Sequence, residues 1–199
     1  MALRYIDLFA GLGGIRLGFT QAADELHLQT ECVLTSEIKP SAIKAMQHNF
    51  KDKNLSKVDI TKIKEEEVPT FNILLGGFPC QAFSIAGKRR GFNEARGTLF
   101  FEIARILRDK QPRYFLLENV KGLLSHERGE TLETIFRVCD ELGYDVSWAV
   151  YNSKDYGVPQ NRERIFIKGY SRTSCGGEVL SVPRVNRTVD EPMSNTYYG

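Results

Sequence analysis

A short β-prone run from Leu3 to Leu8 ends in the glycine-rich turn Phe9-Ala10-Gly11-Leu12-Gly13-Gly14 and passes directly into a helical pattern from Ile15 to Leu26. This succession constrains the chain more than any other stretch. Strand, glycine turn and helix are the opening of an α/β fold that holds a nucleotide at the turn. Glycine permits positive φ and lets a ligand approach the backbone, while the helix N-terminus leaves amides unpaired for it. The spacing differs from the dinucleotide pattern Gly-x-Gly-x-x-Gly, and no Lys-Ser/Thr pair follows as a phosphate-binding loop demands. A purely structural tight turn is the competing reading.

The same strand and helix alternation continues. Glu31 to Ser36 reads as a second strand with Glu37 at its tip, followed by a helix from Ser41 to Phe50. An acid about 20 to 25 positions past the glycine turn is where α/β folds hold ribose hydroxyls, so Glu37 is the candidate ribose ligand; a solvated strand-end carboxylate is the alternative. Asp59 and Ile60, after a short run near Val58, offer an acceptor for an adenine amine and an apolar contact for its ring. Phe71 to Leu75 is a third strand. Thr98 to Arg108 and Thr131 to Leu142 carry apolar residues at helical spacing, the latter stopped by Gly143, and flank an apolar strand at Tyr114 to Leu117. Strands at Asp145 to Val150 and Arg164 to Lys168 are joined by a short link, which favours an antiparallel pair at the sheet edge. The fold expected is α/β, a doubly wound, mostly parallel sheet with an antiparallel edge strand, over residues 1–170. From Ser171 to Gly199, Ser, Thr, Gly, Pro and Asn without periodicity read as an irregular tail.

Composition bounds the function. Apolar residues at 42% and charged residues at 26% of 199 positions fit an ordinary globular protein. The net charge of +2 is uninformative as a total, but from Ile85 to Arg113 eight Lys/Arg face three Asp/Glu. Such a basic segment points to a phosphate-rich partner, against the alternative of a solvated surface. Cys32, Cys80, Cys139 and Cys175 sit far apart with no Cys-x-x-Cys pair, and His27, His48 and His126 are scattered. They read as free thiols of a reducing cytoplasm with no structural metal. No apolar run approaches the roughly 20 residues that span a bilayer, so the expectation is a soluble, cytoplasmic protein.

The chemistry gathers around Gly76-Gly77-Phe78-Pro79-Cys80-Gln81-Ala82-Phe83-Ser84, where a strand ends in a thiol behind a rigid proline and the basic loop Ile85 to Arg96 follows. Cys80 is a candidate nucleophile; a small buried residue in a turn is the bland alternative. If the strand at Tyr114 is a parallel neighbour, Glu118-Asn119-Val120 arrive at the same sheet edge. A carboxyl group there is expensive to ionise unless partnered, which suits it to proton donation. Arg162 and Arg164, two apart on an extended segment, face one side, where they can hold a carbonyl, a phosphate or the Glu118 carboxylate.

Four segments together, Asp7-Leu8-Phe9-Ala10-Gly11-Leu12-Gly13-Gly14, Gly77-Phe78-Pro79-Cys80-Gln81, Glu118-Asn119-Val120 and Gln160-Asn161-Arg162-Glu163-Arg164, resemble the cytosine-C5 DNA methyltransferases of bacterial restriction-modification type in kind and order. The resemblance covers residues 3 to 170. It implies a Rossmann-like sheet of the S-adenosylmethionine-dependent methyltransferase type, with S-adenosylmethionine as cofactor and double-stranded DNA as substrate. It implies Cys80 as the nucleophile at cytosine C6, Glu118 at N3 and the exocyclic amine, Arg162 at the base carbonyl, and Arg164 supporting the cysteine loop. Phe9, Gly11, Gly13, Glu37, Ile38, Asp59, Ile60 and Leu99 would line the cofactor site. Gln81, Ser84, Lys88, Arg89, Arg90 and Arg96 would close on the flipped-base DNA. The chain departs from the family in carrying Ile38 where many relatives have an aromatic. It also lacks a target-recognition region and the closing Gly-Asn-Ser-Val segment, which implies a partial or split enzyme with a second polypeptide as partner. A catalytically incompetent cofactor- or partner-binding module, and an RNA cytosine-5 methyltransferase relative, are the competing readings.

Overall fold

A computed structural model describes residues 2–51, 53–80 and 99–175. Strands β1 (Leu3–Leu8), β2 (Thr30–Ser36), β3 (Leu55–Ser56), β4 (Ile73–Gly76), β5 (Tyr114–Val120), β6 (Tyr144–Asn152) and β7 (Glu163–Ser171) form one sheet in the order β3-β2-β1-β4-β5-β7-β6. The first five strands of that order are parallel; β7 runs antiparallel to both β5 and β6. The antiparallel pair therefore stands at the sheet edge, and the reversed strand is its inner member. The β6–β7 link is too short for a crossover, so β7 folds back between β6 and β5.

Helices α1 (Gly14–Glu25), α2 (Pro40–Phe50), α3 (Leu99–Lys110) and α4 (Glu130–Glu141) cover the two faces. Consecutive strand-end residues report which face each helix takes. A Cβ at Gly76 would meet Leu117 and Ile103 of α3, whereas one at Gly77 would meet Ile15 of α1. Side chains alternate along a strand, so α1 and α3 lie on opposite faces. The α3 face is the dry one: Phe100, Ile103, Ala104, Ile106 and Leu107 pack with Phe115, Leu117, Ile135, Ile165 and Ile167 at 2% exposure or less. Strand β5 reads intermediate, buried, intermediate, buried for this reason. Burying each such side chain contributes about 1.5–3 kcal/mol.

The α1 face is built differently. Only Arg16 and Ala23 of α1 are buried, and the Arg16 guanidinium lies 4.5 Å from the Phe50 ring centroid and 3.4 Å from Thr35 Oγ1. Toward β5, β7 and β6 no described helix covers this face, and Leu116, Phe166 and Tyr151 are half-buried there. Ahead of the short run near Val58 lies a two-residue strand not singled out in the sequence, β3, which ends at Ser56. Asp59 caps a following 3-10 turn (Ile60–Lys62), its Oδ1 accepting from Thr61 N at 3.0 Å. Packing also continues past residue 170. Ser171 closes β7 fully buried, Arg172 opens a last short helix, α5 (Arg172–Cys175), and its Nη1 pairs with Asp140 at 2.8 Å and Asp145 at 3.1 Å. The rest of the tail lies outside the described residues. No described helix is long and apolar enough to cross a membrane, and no group of three or more His, Cys, Asp or Glu among the described residues could hold a metal.

Candidate active site

The C-terminal ends of the parallel strands converge on one rim. At β1 the chain turns through Phe9 (φ 55), Gly11 (φ 57) and Gly13 (φ 82) before α1 begins. A Cβ on Gly13 would lie 2.8 Å from Met46 Sδ and collide with the Phe50 ring, so this glycine lets α1 and α2 approach. It faces α2, while Phe9, Ala10, Gly11, Leu12 and Gly14 line a cleft of about 760 Å³. Glu37, just past β2, is wired to the turn: its Oε2 accepts from Gly11 N at 2.7 Å, and its Oε1 from Ile38 N and Lys39 N at 2.8 and 2.7 Å. Ile38 is 59% exposed beside it. Asp59 follows β3, Ile60 is buried in the core, and Leu99 opens α3. These five residues sit outside the lining of the cleft, on the side of the turn toward β2 and β3, apart from Leu99, which is brought in by α3.

Across the cleft stand Glu118, Arg162 and Arg164. Because Gly76 pairs with Leu117 in the β4–β5 register, Glu118 comes level with Gly77, and a Cβ on Gly77 would be 3.5 Å from Glu118 Oε2. An alanine there would only touch the carboxylate, at ordinary contact distance. Glu118 is partnered: Arg164 Nε lies 2.8 Å from its Oε1, each side chain 21% exposed. The guanidinium also donates from Nη1 to Glu163 O at 2.7 Å. Arg162 is exposed and its side chain makes no hydrogen bond or ion pair among the described residues.

The cysteine loop leaves β4 beside this pair and has three anchors. Gly77 N donates to Leu8 O at 3.2 Å, the Phe78 ring is buried 5.7 Å from that of Phe100, and Asn119 Nδ2 donates to Phe78 O at 2.9 Å. Proline at 79 holds the residue before it extended, which delivers Cys80, half-buried, to the rim. Burial pushes the Cys80 thiol above its ordinary value; Cys139, fully buried in α4, is pushed up to about 12 by burial and secondarily by Asp140. Gln81, Ser84, Lys88, Arg89, Arg90 and Arg96 lie outside the described residues.

Two asparagines had no assigned task in the sequence. Asn119 is 2% exposed and ties β5 to the cysteine loop. Asn152, 5% exposed at the end of β6, bonds Asn161 Oδ1 at 2.6 Å and accepts from Arg162 N at 3.1 Å, which sets the course of the arginine segment. Asn119 stood inside a quoted motif; for Asn152 no local signal exists, since its partners lie nine and ten residues away.

This layout has relatives. The chain is 52% identical over 200 residues to the type II methyltransferase M.NlaIV of Neisseria lactamica, covering 96% of this chain and 47% of the relative. It is 53% identical over 169 residues to type II methyltransferase M.BanI of Aneurinibacillus aneurinilyticus, covering 85% and 39%. The chain thus spans about half the length of the curated relatives it matches. Among solved structures, DNMT2 of Spodoptera frugiperda superposes with a TM-score of 0.70 at 22% identity, over 94% of this chain and 54% of that one, a likeness of fold. The family model for C-5 cytosine-specific DNA methylase matches residues 3–192, and the chain belongs to that family.

Proposed function

We propose that this chain carries the chemical half of a DNA (cytosine-5-)-methyltransferase that uses S-adenosylmethionine and duplex DNA. The observation that carries the reading is the convergence on one rim of the Gly77–Cys80 loop and the Glu118–Arg164 ion pair, across a cleft from the glycine turn.

The residues present fit the cofactor. The turn offers backbone for close approach at Phe9 and Gly11. Glu37 Oε2, which accepts from Gly11 N alone, has a further lone pair for a ribose hydroxyl, whereas Oε1 already accepts from two amides; Asp59 takes both its Thr61 bonds on Oδ1, leaving Oδ2 open among the described residues. Ile38 and Leu99 supply apolar surface, Ile60 backs the Asp59 turn from the core, and Gly13 serves indirectly by seating the turn against α2. When bound, S-adenosylmethionine supplies an electrophilic methyl group.

Cytosine C5 is too weakly nucleophilic to react unaided. Cys80, as thiolate, adds to C6, and the electron pair of the C5–C6 double bond moves onto C5. Glu118 hydrogen-bonds N3 and the exocyclic amine as charge spreads into the ring, held in that orientation by Arg164. Arg162, whose guanidinium is uncommitted among the described residues, takes the base carbonyl. After methylation, loss of the C5 proton re-forms the double bond and expels the Cys80 thiolate. The target base must leave the duplex, at a few kcal/mol. Gln81, Ser84, Lys88, Arg89, Arg90 and Arg96 are assigned to the opened strand and its phosphates, and a cytoplasmic location is assigned by analogy with the bacterial relatives.

Target recognition we assign to sequence outside the described residues, on this polypeptide or a second one. The support is the 47% share of the relative that this chain spans, and the α1-side face of β5, β7 and β6, uncovered by any described helix. The test is covalent trapping with 5-fluorocytosine DNA and S-adenosylmethionine, with and without the remaining half of a relative. A Cys80-dependent adduct, lost in Cys80→Ala, is expected; no adduct under any of these conditions overturns the reading.

A further inference from the structure

The connection from β3 to β4 carries Asp59 and Ile60, yet little holds it. It runs through Lys62, Lys64, Glu65, Glu66 and Glu67, and only Ile60, Ile63, Val68 and, just ahead of β4, Phe71 are buried. Two short 3-10 turns, Ile60–Lys62 and Glu65–Glu67, give it shape without the length to be stable alone. One side chain from elsewhere reaches both turns. Arg105 of α3, 18% exposed, donates from Nη2 to Ile60 O at 3.1 Å and Ile63 O at 3.0 Å. Its Nη1 lies 3.1 Å from Glu65 Oε2, and its Nε donates to Glu102 Oε2 at 2.9 Å.

We infer that Arg105 is a positioning residue for the adenine end of the cofactor site, acting by clamping the turn that presents Asp59. The inference rests on the cofactor reading above and names a residue outside the site itself. Ile60 O, which Arg105 grips, belongs to the residue after Asp59, and Asp59 caps the same turn through Thr61. A shift of that carbonyl moves the carboxylate with it. Glu102, one turn earlier on α3, holds the guanidinium plane from the other side, so the fork is oriented before it meets the turn. Lysine can keep the charge but has no planar fork to bridge two carbonyls and a carboxylate at once.

The consequence is a specific loss. An Arg105→Lys chain should bind S-adenosylhomocysteine about tenfold more weakly, the scale of one charge-assisted hydrogen bond. It should also lose discrimination against the analogue whose purine lacks the 6-amino group. Calorimetric titration of both ligands into wild type, Arg105→Lys and Glu65→Gln reads this directly, with the melting temperature of each variant recorded. Glu65→Gln leaves the two carbonyl bonds in place and should show a smaller loss in the same direction. If Arg105→Lys melts lower but keeps wild-type affinity and wild-type discrimination, Arg105 only stabilises the fold and the inference fails. If wild type itself binds neither ligand, the cofactor reading fails and takes the inference with it.

Discussion

At the scale of single residues, the arrangement around Cys80 separates position from reactivity. The loop's anchors hold the thiol at the rim, but burial raises its pKa, and the Arg164 guanidinium at that rim is committed to Glu118. A raised thiol pKa means that the neutral form is favoured at neutral pH in the chain alone. Peptide-resolved alkylation should therefore find Cys80 reacting faster as pH rises, half-maximal above the ordinary thiol value of about 8.5, with Cys139 protected throughout. Half-maximal reaction at or below neutrality would contradict the burial seen here. Cys80, Glu118 and the two arginines could be proposed from sequence because each belongs to a compact motif. The Arg164–Glu118 pairing was readable only as one of three options, since 46 residues separate the partners.

At the scale of elements, the boundaries of β1 coincide with the expected Leu3 to Leu8, and the helices start or stop within one or two residues of expectation, because apolar periodicity and the glycine stops are local signals. Strand β5 runs longer than its apolar core: Glu118, Asn119 and Val120 remain paired with Phe166, Ile165 and Arg164 of β7. Polar residues at a strand end look like a loop until a partner strand satisfies their amides. The short run near Val58 holds no strand for the same reason in reverse, since Asp59 satisfies the local backbone as a cap. The glycine turn yields the prediction at this scale. Gly13→Ala forces a side chain into positive φ and against Met46 and Phe50, so denaturant unfolding should show a loss of about 2–4 kcal/mol. Gly14→Ala, with nothing within 4 Å of its added Cβ, should cost far less. Equal losses would remove the α1–α2 packing explanation.

At the scale of the whole molecule, the sheet gathers chemistry on one rim and leaves the α1 side of β5, β7 and β6 uncovered by any described helix. The groups proposed for DNA contact are mostly phosphate partners, which position a duplex without reading it. Competition binding should show the chain preferring no duplex sequence by more than about tenfold, with affinity falling steeply as salt rises. A strong preference for one sequence would place recognition within these 199 residues. Local pattern by itself determined the alternation of strands and helices and the family, and it singled out Cys80, Glu118, Arg162 and Arg164 as candidates, because periodicity and short motifs are written in neighbouring residues. Only the tertiary structure decided that β7 lies inside β6, that Gly13 serves α2 while Gly11 serves the cleft, and that Asn119 and Arg105 hold segments 41 and 45 residues away. Those outcomes depend on which surfaces meet after the chain has closed on itself, and a long-range hydrogen bond leaves no mark in the spacing of the residues that make it.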